Sequence, residues 1–136
     1  MAVDTAAAAR QIRVARPTDR LDELRRFYCE GLGLEELGGF DDHDGYKGVF
    51  VGLPETDLHL EFTSHVDGSP CPAPSADNLL VFYVGSVEAR DAVAAQLGAL
   101  GVGSVAPENP YWEAVAALTF EDPDGWRVVL VPSAGI

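Results

Sequence analysis

A histidine and a glutamate two positions apart are the side chains of this sequence best suited to chemistry. His59 and Glu61 belong to segment 58–63, in which apolar and polar residues alternate. In a β-strand this alternation puts both polar side chains on one face, about 7 Å apart along the strand. An imidazole beside a carboxylate can ligate a metal ion or act as an acid–base pair. His43 or His65 could supply a further ligand from a loop.

Two arginines could instead form an ion pair with Glu61. Arg13 and Arg127 belong to predicted strands, and the parity of each strand puts them on the face opposite to the helices. We expect Glu61 to form an ion pair with one of them, and removing a partner of a buried pair should cost on the order of 3 kcal/mol. An arginine left free could bind a carboxylate, phosphate or carbonyl oxygen of a ligand.

Aromatic residues lie near the ends of the same predicted strands. Tyrosine and tryptophan could hold a flat ligand there, or could pack in the core or at a dimer interface. The ligand-binding candidates are therefore Gln11, Arg13, His59, Glu61, Tyr83, Tyr111, Trp112 and Arg127. His59 and Glu61 are also the candidates for catalysis and for metal binding.

The elements that must position these residues occur twice. An offset of 68 residues places Ile12 on Leu80 and Val14 on Phe82. Neither copy can bury its apolar face alone, so we expect the two copies to pack together around a ligand cavity. We divide the chain into a frayed tail (1–10), a first module (11–63), a connector rich in Pro, Ser and Gly (64–78), a second module (79–132) and a C-terminal tail (133–136).

Each module has the pattern of a strand, a helix and three strands. In the first module we predict strands at 11–15, 34–40, 49–53 and 58–63, a helix from Leu21, and a turn at 41–45. In the second we predict strands at 79–84, 102–106, 114–120 and 126–131, and a helix at 87–100. The predicted fold is α+β: two tandem β-α-β-β-β modules forming an open, cup-shaped half-barrel sheet with the helices outside.

The composition argues against nucleic acids and membranes as partners. The net charge of −13 would repel a phosphate backbone, which argues against nucleic-acid binding. No apolar run approaches the roughly 20 residues of a membrane helix, and no secretion signal is recognisable, so we expect a cytoplasmic protein. Cys29 and Cys71 are expected to be free thiols, although their spacing alone leaves a disulfide open.

Three short segments resemble the vicinal oxygen chelate superfamily, which contains glyoxalases, bleomycin- and fosfomycin-resistance proteins and extradiol dioxygenases. They are Phe27-Tyr28, the segment Gly31-Leu32-Gly33-Leu34 after the first helix, and Phe120-Glu121-Asp122-Pro123-Asp124-Gly125 before the last strand. The resemblance spans about residues 11–132 and implies the same repeated fold. It also implies a homodimer, and in the enzymes of the group a divalent Fe, Mn, Ni or Zn ion in the cup.

The metal ligands that the resemblance implies are mostly missing. The superfamily's enzymes carry His or Glu on the first and last strands of each module, and here Gln11 or Arg13, Leu79 and Val129 occupy three of these places. Only Glu61 matches, and one carboxylate does not hold a catalytic transition metal. We therefore expect no cofactor at the usual position.

Two functions follow from the resemblance. The first is a glyoxalase- or bleomycin-resistance-like protein that binds a small aromatic or oxygen-bearing molecule in the cup without the metal. The alternative is a metal-dependent lyase or dioxygenase with displaced ligands, or an acid–base catalyst, that uses Glu61 and His59. A structural or partner-binding role is the third option, because one scaffold hosts many functions.

Overall fold

The computed structural model of the protein describes residues 5–136. Within this range the strands are β1 (Ile12–Pro17), β2 (Glu35–His43), β3 (Tyr46–Gly52), β4 (Leu58–His65), β5 (Leu79–Tyr83), β6 (Leu118–Glu121) and β7 (Arg127–Val131). The helices are α1 (Leu21–Arg25), α2 (Val87–Ala99) and α3 (Tyr111–Ala114), and a π-helical turn, Arg26–Gly31, extends α1. The predicted tail lies partly outside the described residues, and its described part is an exposed 3₁₀ turn, Ala6–Ala8.

The first sheet has the strand order β1-β4-β3-β2. β1 runs parallel to β4, with Arg13 opposite His59 and Ala15 opposite Glu61. Because residues opposite each other share a face, these side chains lie together on the concave face of the sheet. β3 adds Phe50, which lies opposite Glu61.

The second sheet is smaller than we predicted. It has three strands, in the order β5-β7-β6. The predicted strand at 102–106 is wrong, because there only Val105 pairs, through a single bridge to Thr119. The predicted strand at 114–120 begins too early, since α3 ends at Ala114 and Ala116 has a φ of 60°, which interrupts an extended chain.

The first module also differs from its prediction at one turn. β2 extends to His43, so the turn predicted at 41–45 is reduced to Asp44 and Gly45. Both residues have positive φ, which lets β2 and β3 join through a short hairpin.

A single apolar core joins the two modules. Phe27 and Tyr28 of the π-helical turn pack in it with Phe62 of β4 and Leu97 of α2. Gly31 lies at the contact between the two helical segments, where an added Cβ would come within 2.6 Å of Leu97 Cδ2. The open two-module α+β fold is therefore confirmed, with the helices outside the sheets and one strand fewer than predicted.

A seam separates the two sheets. β1 and β5 each end a sheet, so neither strand is paired on its outer side among the described residues. Cavities of about 530 and 210 Å³ lie along this seam, and both are lined by Leu60 and Leu80. Val14 is 45% exposed there, so the seam leaves apolar surface uncovered.

None of the helices in the described part of the chain has the length and apolar character needed to cross a membrane.

Candidate functional site

Arg13 lies at the centre of the polar side chains on the concave face of the first sheet. Its Nε donates a hydrogen bond of 2.8 Å to His59 Nε2, and its Nη1 lies 3.6 Å from Glu61 Oε1. Its guanidinium carbon lies 4.5 Å from the centre of the Phe50 ring. The structure thus brings together three of the candidate residues, Arg13, His59 and Glu61, on an aromatic floor.

The hydrogen bond from Arg13 determines which nitrogen of His59 carries the proton. Because Nε2 accepts from an N–H group, a neutral His59 must carry its proton on Nδ1. His59 is 7% exposed, and its Nδ1 has no hydrogen-bond partner among the described residues. This imidazole therefore offers no free lone pair as a base or as a metal ligand.

The residues present do not fit the metal ion that the resemblance implies. Glu61 faces the positive charge of Arg13, which would repel a cation at that carboxylate. Within residues 5–136, no three His, Cys, Asp or Glu side chains are grouped so that they could hold a metal ion. The two histidines considered for a displaced site lie elsewhere: His43 is exposed, and His65 packs on Tyr46.

Arg127 forms its polar contacts within its own module. Its Nε lies 3.3 Å from Glu121 Oε2, and its Nη1 donates to the carbonyl of Ala106 at 3.0 Å. Of the two partners considered for Glu61, the structure therefore selects Arg13. Arg127 contributes to the lining of the smaller seam cavity, away from the Arg13 cluster.

The aromatic candidates do not form one cluster with Arg13. Tyr83 lines the larger seam cavity and is 47% exposed. Tyr111 and Trp112 lie on α3 with ring centres 5.1 Å apart, and Trp112 Nε1 is buried without a partner in the described part of the chain. Gln11 is exposed and precedes β1. The concave face of the first sheet instead carries Phe40 and Phe50, whose ring centres are 6.0 Å apart.

A buried polar network that the sequence analysis missed joins the modules. Asp122 accepts hydrogen bonds from Arg16 Nη2 at 2.5 Å and from the Tyr28 hydroxyl at 2.8 Å. Its other oxygen accepts from the backbone N–H groups of Asp124 and Trp126. The Asp-Pro-Asp-Gly turn signalled the last two bonds, because a first Asp often caps such a turn. The partners from the first module carried no comparable signal.

The network has an electrostatic consequence for its tyrosine. Burial, and secondly the negative charge of Asp122, hold the pKa of Tyr28 well above its ordinary value of 10.0. The Arg16 guanidinium also lies over the Trp126 ring, 4.7 Å from its centre. Tyr28 therefore acts as a neutral hydrogen-bond donor that helps to hold the modules in place.

Comparison with known proteins shows the family to which the chain belongs. The YycE-like N-terminal domain model matches residues 12–63, and the YycE-like C-terminal domain model matches residues 77–132. The protein YycE of Bacillus subtilis is 52% identical over 128 residues, which are 94% of this chain and 91% of that protein. Its crystal structure superimposes with a TM-score of 0.88 over 94% of this chain and 93% of that chain.

More distant solved structures share the fold. The trypanothione-dependent glyoxalase I of Leishmania major is 21% identical with a TM-score of 0.71, over 93% of this chain and 88% of that chain. An antibiotic-binding protein of Streptomyces sp. CB03234 is 26% identical with a TM-score of 0.66, over 95% of this chain and all of that chain. The chain therefore belongs to the YycE-like family, with the fold of the vicinal oxygen chelate superfamily.

Proposed function

We propose that this protein binds a small, planar, oxygen-bearing molecule on the concave face of its first sheet, without the metal ion used by the enzymes it resembles. The observation that carries the proposal is the contact of Glu61 with Arg13. The one carboxylate at a position implied for a metal ligand faces a guanidinium at 3.6 Å. A cation at that place would have to displace the arginine.

The surface around this contact favours a flat ligand. Phe40 and Phe50 form an aromatic floor, and both are only half-buried. The side chain of Arg13 is 47% exposed, so part of its guanidinium is available to a ligand oxygen. The antibiotic-binding protein of Streptomyces, at 26% identity, supports a binding role for this fold.

The alternative is a lyase, a dioxygenase or an acid–base catalyst that uses Glu61 and His59. It needs a free lone pair on His59 or a carboxylate open to a metal ion. Arg13 donates to His59 Nε2, which occupies the imidazole lone pair, and its positive charge beside Glu61 disfavours a metal ion at that carboxylate. We therefore give the binding role first place.

A thermal-shift assay beside elemental analysis tests the proposal. Protein purified without chelator is expected to carry far less than one metal ion per chain, and planar aromatic ketones should raise its Tm. Arg13→Ala should remove the shift, whereas Glu55→Gln, at an exposed turn residue, should leave it unchanged. About one Fe, Mn, Ni or Zn ion per chain, lost in Glu61→Gln, would overturn the proposal in favour of the enzyme.

We also propose a homodimer, as the resemblance implies. The support is apolar surface along the seam, where β1 ends its sheet and exposes Ile12 (62%) and Val14 (45%). Leu58 of the neighbouring strand is 42% exposed on the same face. A second copy of the chain laid against this edge would remove that surface from water.

A further inference from the structure

The two cavities along the seam adjoin each other. The larger, of about 530 Å³, and the smaller, of about 210 Å³, share Leu60 and Leu80 in their walls. Because β1 and β5 do not pair with each other in the described part of the chain, a gap between the sheets remains beside both cavities. Their size is that of a pocket for a small molecule.

This space lies mainly on the helix-facing side of the strands. Leu60 is buried on that side of β4, and Leu80 packs against the same apolar core. Arg16 lines the smaller cavity, and its guanidinium carbon lies 5.2 Å from the centre of the Phe62 ring. A ligand here would therefore occupy a different place from the one proposed on the concave face.

The two cavities differ in polarity. Apart from His59 and Tyr83, the larger cavity is lined by apolar residues and a glycine. The smaller cavity has Arg16, Asn78 and Arg127 in its walls. An occupant of both cavities should therefore combine an apolar body with a polar group at one end.

Arg16 has a donor available for that polar group. Its side chain is only 10% exposed, and its Nη2 donates to Asp122. Its Nε–H is buried and has no acceptor within residues 5–136. The rings of Phe62 and Trp126 beside the guanidinium hold it in place. A ligand oxygen that accepts from Nε would satisfy a buried donor that the fold leaves unpaired.

The charges around this donor are already balanced. Asp122 contacts Arg16, and Asp124 Oδ2 lies 4.0 Å from the same Nη2. Arg127, the other cation of the smaller cavity, is paired with Glu121. A carboxylate on the ligand would be repelled by Asp122, whose side chain is fully shielded from water. A neutral carbonyl oxygen can accept from Nε without adding a charge.

We propose that the seam cavities bind a neutral aliphatic molecule that carries a carbonyl oxygen at one end. The carbonyl accepts from Arg16 Nε, and the aliphatic chain passes Leu60 and Leu80 into the larger cavity. Burial of the chain supplies most of the affinity, and the hydrogen bond fixes its direction. This second site goes beyond the proposed binding of a planar molecule on the concave face.

A series of methyl ketones tests the proposal. Calorimetric titration from 2-pentanone to 2-nonanone should show one site per chain and an affinity that rises by up to about fourfold for each CH₂ group buried. Octyltrimethylammonium has no acceptor and nonanoate carries a negative charge, so both should bind at least about tenfold more weakly than 2-nonanone. Similar affinities for the three head groups, or no saturable binding of 2-nonanone, would overturn the proposal.

Substitutions in the cavity wall test where the chain lies. Leu53 lines the larger cavity and is 37% exposed, so Leu53→Trp should fold and weaken the binding of 2-nonanone at least about tenfold. Val66→Trp, at a residue that is 80% exposed on a loop, is the matched control and should change nothing. Arg13→Ala, which should remove the planar ligand from the concave face, should leave the affinity for 2-nonanone unchanged. Loss of binding in Arg13→Ala, or full binding in Leu53→Trp, would place the ketone elsewhere and overturn the proposal.

The NMR signal of the Arg16 Nε–H group reports on the hydrogen bond in the wild type. It should shift when 2-nonanone is added and stay unchanged with octyltrimethylammonium. Arg16→Lys keeps a charge beside Asp122 but lacks the Nε–H group, so it should lower the affinity for 2-nonanone about tenfold. A signal that 2-nonanone leaves unmoved would refute the assigned donor.

Discussion

The Arg16 guanidinium and the Asp122 carboxylate lie 2.5 Å apart, Nη2 to Oδ2, and form a buried polar contact between the first strand of one module and the tight turn of the other. Their side chains are 10% and 0% exposed, so the pair is shielded from water. Tyr28 shares the same carboxylate oxygen. Asp122 therefore helps to hold the modules together, beside the apolar core that they share.

Removing that aspartate should destabilise the protein strongly. Asp122→Ala leaves the buried Arg16 without its partner, and we expect a loss of about 3–5 kcal/mol in the free energy of unfolding, measured by urea denaturation. The exposed pair of Arg26 and Glu30, 3.0 Å apart, is the control, and Glu30→Ala should cost less than about 1 kcal/mol. Equal losses in the two variants would show that the buried contact has no special role.

The raised pKa of Tyr28 predicts that the stability of the protein depends on pH. Its folded-state pKa is raised, mainly by burial, whereas an unfolded tyrosine ionises near 10. The contribution of neutral Tyr28 to the free energy of unfolding is therefore complete below about pH 10. It is lost as the pH rises towards the folded pKa, by up to about 1.4 kcal/mol per pH unit. Measured between pH 8 and 11, the unfolding free energy of the wild type should fall more steeply than that of Tyr28→Phe. Parallel curves would contradict the prediction.

Packing between the helical segments should not tolerate a methyl group at Gly31. In Gly31→Ala the new Cβ meets Leu97 Cδ2 at 2.6 Å, so we expect a loss of about 1–3 kcal/mol. At Gly98, on α2, an added Cβ would meet nothing within 4 Å, and Gly98→Ala should stabilise the helix by about 0.5–1 kcal/mol. Chemical denaturation of both variants gives the comparison, and a neutral Gly31→Ala would refute it.

A double-mutant cycle measures the contact between Arg13 and Glu61. The sequence suggested a buried pair in which the loss of Glu61 costs on the order of 3 kcal/mol, but Arg13 is half-exposed and the atoms are 3.6 Å apart. We now expect a coupling energy below about 1 kcal/mol and small losses in Arg13→Ala and Glu61→Gln. A coupling of several kcal/mol would support the strong buried pair that the sequence suggested. Strictly additive effects would show that the two side chains do not interact.

Sedimentation tests the proposed homodimer. At micromolar concentration the protein should sediment at twice the 14.5 kDa of one chain. Val14→Asp puts a charge on the apolar seam and should shift the population towards the monomer. Val66, which is 80% exposed on a loop, is the control, and Val66→Asp should leave the dimer intact. A wild type that sediments only as 14.5 kDa would contradict the dimer.

The sequence was sufficient to predict the orientation of side chains where burial imposes a regular pattern. Leu60 and Phe62 are buried on one face of β4, so His59 and Glu61 must share the other face. The sequence did not predict the structure of residues 102–117 correctly. The small apolar residues around Ala116 give no indication that its φ is positive. A signal for α3 was present in Asn109-Pro110, since the Asn109 side chain accepts from the N–H group of Tyr111.

The buried network escaped prediction for a different reason. Arg16 and Asp122 are 106 positions apart, and neither residue type indicates burial by itself. Phe62 and Trp126, which are far apart in the sequence, pack around the guanidinium and help to remove it from water. Local periodicity contains no information about such a contact.

The two halves of the repeat are not equivalent with respect to the Arg16–Asp122 contact. The 68-residue offset aligns Arg16 with Val84 and Asp122 with Pro54, so the chain carries the bond once and not twice. Two copies of the first half would bring arginine to the junction without a carboxylate, and two copies of the second would bring the carboxylate alone. A chain cut in the connector should therefore reassemble only as a one-to-one heterodimer of unlike fragments. The two halves are complementary at this contact, since each supplies one of its two side chains.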